Sequence, residues 1–153
     1  MELKVKRQTS NHLYTEGRLL VNDLKTTHTV ESTADMLPAG KYIIRLTKDK
    51  SRRRVIGIFK ADDSINHKPS SINLKYTGWS IGIGHSWIGS RKHQVIAIGD
   101  VLIPGAVFKA SETYERLFDR IEKCEQRNEP ITFVIDESQC IENNPIKHWT
   151  TAY

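Results

Sequence analysis

The chain has 153 residues, 38% of them hydrophobic and 27% charged, with a formal net charge of +5. That length is one ordinary domain, able to bury about two thirds of the surface its unfolded form exposes, and the composition excludes a disordered polymer. Two cysteines, Cys124 and Cys140, are too few for a disulfide framework and lack zinc-site spacing, and no stretch approaches the roughly 18 apolar residues of a spanning helix.

From Leu3 to Arg7 apolar and charged residues alternate, and Leu13-Tyr14-Thr15, Glu16-Gly17 and Arg18 to Val21 read as two strands across a glycine-containing turn. A third strand is expected from Thr27 to Glu31. A Pro-Ala-Gly turn at 38–40 then leads into a strand from Lys41 to Thr47, with Tyr42, Ile44 and Leu46 on one face. Residues 54–60, RVIGIFK, form the next strand, so the basic run Lys48 to Arg54 is a solvated hairpin tip. It contains no aromatic residue on which a base could stack, which makes a nucleic-acid partner an unfavoured expectation.

The Asp, Ser, Asn and Pro content of 61–78 predicts a long surface excursion. Trp79 to Gly84 and Gln94 to Gly99 follow as short strands flanking a loop, Ser86 to Lys92. One helix stands out, SETYERLFDRIEKCEQRNEP, with Ser111 as its cap and Tyr114, Leu117, Phe118, Ile121 and Cys124 on a single apolar stripe. ITFVI at 131–135 is the last strand. The expected fold class is mainly β or α+β, an antiparallel β-rich domain over residues 1–136 with one C-terminal amphipathic helix, then a tail over 137–153.

The stretches LPAGKYIIRLT, IGIGHSWIG, VIAIGD and SETYERLFDRIEKCEQRNEPITFVI together resemble a small domain family of phages and bacteria, itself similar to the L,D-transpeptidase catalytic domain. The likeness runs in order over roughly residues 3 to 135. It implies a strand delivering a histidine, a glycine-containing loop, and a glycine-cysteine pair opening an Ile/Val-rich strand. In transpeptidases that cysteine attacks a peptide carbonyl and the histidine takes its proton, which requires a thiolate within reach of a base and donors for the oxyanion.

His85 stands at the position of the base. Aligning Gly99 with the family's terminal glycine puts Val95 where the cysteine belongs, and His93 and Gln94 on the residues before it, including its glycine. Ser86, Ser90 and Cys140 are the other nucleophiles within consideration, and none has an evident activating partner. His85, His93 and Asp100 are metal-ligand types without a recognised spacing, so neither metal nor organic cofactor is expected.

The resulting expectation is a noncatalytic, degenerate transpeptidase-like binding or structural module, phage or prophage encoded, that docks on cell wall or on virion proteins. Candidate contacts are Trp79, Trp87, Ser86, His85, His93 and Gln94, lining a groove walled by the loop and the 61–78 segment. The alternative is a peptidoglycan-active enzyme using His85 with another nucleophile. A homo-oligomer is compatible with either. The N-terminal MELKVKRQTS lacks the apolar core of a signal peptide, giving a cytoplasmic or virion-associated expectation.

Overall fold

The computed structural model describes residues 1–61 and 73–142. Most of the excursion expected between Ala61 and Gly78, and the end of the expected tail, lie outside the described residues. In chain order the elements are β1 (Glu2–Ser10), β2 (Tyr14–Val21), β3 (Leu24–Ser32), β4 (Gly40–Lys48), β5 (Arg54–Ala61), β6 (Leu74–Ile83), α1 (Trp87–His93), β7 (Val95–Gly99), β8 (Val101–Ile103), β9 (Ala106–Phe108), α2 (Ser111–Gln126), β10 (Thr132–Asp136) and β11 (Ile141–Glu142). The domain is mainly β with an α+β element order, and among the described residues no helix is long and apolar enough to cross a membrane.

Nine strands form one sheet in the order β10-β4-β5-β6-β7-β3-β2-β1-β11, and a further β1–β10 pairing closes it into a barrel. Most neighbours are antiparallel. The exceptions are β6–β7, β1–β10 and β1–β11, all parallel. Alternate residues of each strand point inward, where Leu3, Val5, Leu19, Ile44, Ile56, Ile58, Ile81, Ile96, Ile98 and Phe133 are almost fully buried. The apolar stripe on α2 joins this core through Leu117, Ile121 and Cys124, with Tyr114 and Phe118 packed against its margin. α2 touches β4, β6 and β7, which with β5 form one continuous arc of the barrel wall.

Several local expectations change. Glu16-Gly17 is not a turn: β2 runs straight through it, and Gly17 serves close approach, since a Cβ there would stand 2.4 Å from the Lys6 carbonyl oxygen. The chain reverses earlier, where the Asn11 side chain accepts the backbone N–H groups of Leu13 and Tyr14, both at 2.8 Å. The β2–β3 reversal uses Asn22 and Asp23, both at positive φ as a tight two-residue hairpin demands. β6 begins at Leu74, inside the expected loop, and the β8–β9 hairpin was not anticipated. Ser111 is the first helical residue and not the cap; Ala110 occupies that position and offers no side-chain acceptor. The basic run does form the β4–β5 hairpin tip.

Along β1 the interior turns from apolar to charged. Arg7 and Glu31 are 1% and 0% exposed, and they meet in a bidentate pair, with Arg7 Nε and Nη2 donating to Glu31 at 3.0 and 2.8 Å. Arg7 also donates to the Leu37 carbonyl at 2.6 Å and to Glu137 at 3.2 Å. Burial alone would lower its pKa, but the hydrogen bonds and charge of Glu31, with Glu137 adding to them, hold the guanidinium above its ordinary value. Removing one member leaves the other buried without a counter-charge. Arg7→Met is therefore expected to cost about 3–5 kcal/mol in urea unfolding, and the Arg7→Met/Glu31→Leu double variant to recover most of that loss; a double variant as unstable as the single would show that the pair is not the cause.

Candidate functional site

The segment from His85 to Gln94 is built by hydrogen bonds at both of its ends. Past the end of β6, the His85 carbonyl accepts from Val107 N at 3.1 Å and Trp87 N donates to the Gly105 carbonyl at 2.9 Å, so residues 85–87 lie antiparallel beside β9. The expected loop Ser86 to Lys92 is instead the short helix α1. Ser86 is its N-cap, its Oγ accepting from Gly89 N at 3.4 Å, and the buried Ser90 donates its hydroxyl to the Val95 carbonyl. Both serines thus have structural hydrogen bonds.

Gln94 ends the helix in the left-handed conformation, φ 53° and ψ 53°, with its N–H turned back to the carbonyls of Ser90 and Arg91. This is where the resemblance puts a glycine. Here glutamine takes the left-handed position, and a side chain in that conformation costs about 1–2 kcal/mol.

His85 and His93 are both exposed, and their rings lie against each other at a tilt of 32° with centroids 5.5 Å apart. Gly89 lies between them on the helix and makes the arrangement possible, because a Cβ there would come within 2.7 Å of His85 Cβ. Val95 is placed differently. In the parallel β6–β7 register Val95 lies level with Ser80, and Ile98 with Ile83. His85 lies two residues past Ile83, the last residue of β6, so the chain leaves the ladder toward it at the end of β7 opposite to Val95. Half-buried Val95 packs on the Gly82 backbone instead, where an added Cβ would meet its Cγ1 at 3.0 Å.

Trp79 is corrected from a groove contact to a core residue: it is 6% exposed, inside the barrel with Ile81 and Ile96. Trp87 is half-buried against a second small cluster outside the barrel wall, formed by Val30, Ala97 and Val107 with Leu102. The site therefore brings His85 together with His93, leaves Gln94 exposed beside them, and draws both tryptophans into packing. Among the described residues no three His, Cys, Asp or Glu side chains gather as a metal site; Asp100 accepts hydroxyls from Thr27 and Thr113.

Cys140, the remaining thiol, lies at the polar end of the interior near Glu137 and Arg7. Burial, reinforced by Glu137, raises its pKa, which keeps it protonated and a poor nucleophile at neutral pH.

The surface around α1 carries the feature that sequence reasoning missed. Val101 and Phe108 are directly paired across the β8–β9 hairpin, and Ile103 lies two residues along β8 on the same face. All three are exposed, as are Ile83 and Ile88. The alternation of VLI and AVF, with Leu102 and Val107 turned inward, is the one sequence signal for it. No family model, curated protein or solved structure matches this chain.

Two outcomes follow. Gln94→Gly is expected to leave stability unchanged or raise it by up to about 1 kcal/mol in thermal unfolding, the opposite of a glycine placed within a helix. Cys140 is expected to react with iodoacetamide at pH 8 more slowly than a free thiol, and to accelerate only as pH rises beyond the ordinary cysteine range; a rate equal to that of free cysteine would contradict its placement.

Proposed function

We propose that this chain is a noncatalytic binding or structural module on a transpeptidase-like strand frame, of the kind by which a phage or prophage product docks on virion proteins or on the cell wall. The observation that carries this reading is Val95. It occupies the first position of β7 after the left-handed Gln94, where the resemblance calls for a thiol, and an isopropyl group can neither attack a carbonyl nor receive a proton. Ser86 and Ser90, the hydroxyls that follow His85 in the segment expected to be a loop, are committed to capping α1 and anchoring it to β7. A base needs its proton donor within hydrogen-bond distance, and the partner that the fold supplies to His85 is another imidazole.

Binding, in this reading, uses the outer face of the β8–β9 hairpin with Ile88 beside it. Exposed aliphatic and aromatic side chains gathered on a rigid two-stranded element suit anchoring to a protein. Sugar stems need several directed hydrogen-bond donors and acceptors, which Val101, Ile103 and Phe108 do not offer, so a virion-type protein partner is favoured over the wall polymer.

The test incubates the pure protein with peptidoglycan sacculi, alongside His85→Ala and a Val101→Lys/Phe108→Lys variant, and resolves the digested fragments by mass spectrometry. Identical fragments in every case are expected. Cleavage products or cross-links that disappear with His85→Ala would replace this reading with a wall-active enzyme using His85. Sedimentation of the protein with sacculi, lost in the hairpin variant, would assign the apolar face to the wall.

A further inference from the structure

On a different wall of the barrel from β8–β9, the strands β4, β5 and β6 collect a second set of outward-facing groups, the aromatic ones half-buried. Ile44, Ile56 and Ile58 point inward, so Ile43, Arg45, Thr47, Val55, Gly57 and Phe59 face out. Phe59 pairs directly with Tyr76 of β6, and their rings lie 5.0 Å apart at 36°. Gly57 gives Phe59 its place: a Cβ at that position would stand 3.0 Å from the ring edge, so the phenyl group leans over the glycine toward the hairpin tip. Burial raises the Tyr76 pKa and Asp49 adds to the rise, which puts this aromatic pair within electrostatic range of the tip itself.

The tip is strongly cationic and locally fixed. Asp49, its one acid, faces inward on the turn and accepts the N–H groups of Ser51 and Arg53, each at 2.9 Å. Arg54 is committed to Glu122 at 2.8 Å and lies over the Phe118 ring. Lys48, Lys50, Arg52 and Arg53 are exposed and, among the described residues, meet no carboxylate; the same holds for Arg45 on the sheet face between the tip and the aromatic pair. Lys48 pairs with Arg54 and shares its face of the hairpin, toward α2, which leaves four cations, Arg45 on the sheet face and Lys50, Arg52 and Arg53 at the tip, on the side of the tilted aromatic pair.

We propose that this wall binds single-stranded nucleic acid, with bases stacking on Phe59 and Tyr76 and phosphates held by Arg45, Lys50, Arg52 and Arg53. Charge alone would accept any polyanion. The aromatic pair selects a ligand with planar faces that are free to unstack, which excludes duplex DNA and phosphate-rich wall polymers as preferred occupants. The 48–54 segment contains no aromatic residue of its own; the antiparallel pairing of β4, β5 and β6 supplies two from elsewhere in the chain.

Fluorescence anisotropy with a labelled 20-nucleotide oligo(dT) tests this, with a 20-base-pair duplex and inorganic polyphosphate as competitors. Expected are preferential binding of the oligo(dT) and an affinity that falls steeply with salt, with a log–log slope near −3 for about four phosphate contacts. Lys50→Ser/Arg52→Ser/Arg53→Ser should flatten that slope by about 2. Tyr76→Leu and Phe59→Leu, checked for retained fold by circular dichroism, should each weaken binding by about tenfold without changing the slope. Absence of binding at low salt overturns the proposal. So does equal competition by duplex or polyphosphate together with indifference to both aromatic substitutions, which would reduce the wall to a general polyanion surface.

Discussion

Closure of the sheet rests on β1, which pairs with β2 along one edge and with β10 and then β11 along the other. Without the β1–β10 ladder the remaining strands would form an open, strongly twisted sheet with two bare edges, and the inward isoleucines would lack an opposite wall. The pairing also determines where charge can be buried. Arg7 reaches Glu31 and Glu137 together because β1 is held between the elements that carry them, and a guanidinium in that position is tolerable only when its donors are met by carboxylates and a carbonyl.

The two outer surfaces inherit their rigidity from this frame. α1 and the β8–β9 hairpin hold one another through backbone hydrogen bonds at residues 85–87, and the inward residues Leu102, Val107 and Trp87 pack onto Val30 and Ala97 of the barrel wall. That second, smaller cluster leaves the opposite face of the hairpin to solvent. Around the barrel, β6 carries two extra residues between Tyr76, opposite Phe59, and Ser80, opposite Gly57, and Gly78 at φ 85° takes up the irregularity. Each surface is therefore carried by strands whose other side is fixed in a core.

Regular periodicity was readable in the amino-acid sequence, and irregular geometry was not. Alternation located β1, β4 and β5 closely, and the helical spacing of Leu117, Ile121 and Cys124 placed α2 and its buried face. Gly17 misled because glycine marks both turns and close backbone approaches, and only the neighbouring Lys6 carbonyl distinguishes them. The residues of α1 read as a loop because seven residues hold no amphipathic repeat; its helicity depends on the Ser86 cap, the Ser90 anchor and the left-handed Gln94. Of the expected contact residues, His85, His93 and Gln94 do share one exposed region. Trp79 could not be assigned to the core from its residue type, since an amphipathic aromatic suits a core or a groove alike and the inward face it shares with Ile81 is defined only once the barrel closes. Nor could the Phe59–Tyr76 pair be seen, because it is made by strand register across an intervening segment.

Pairing between strands from opposite ends of the described chain also has a consequence in time. At a synthesis rate of roughly 5–20 residues per second, β10 follows β1 from the ribosome by on the order of ten seconds, and until then one edge of β1 has no native partner. A nascent edge of that age is exposed to other chains. The outward Lys4 and Lys6, alternating with the apolar residues that will later face the core, put charge on the strand during that interval, so the same alternation that directs Leu3 and Val5 inward also discourages premature pairing with a stranger.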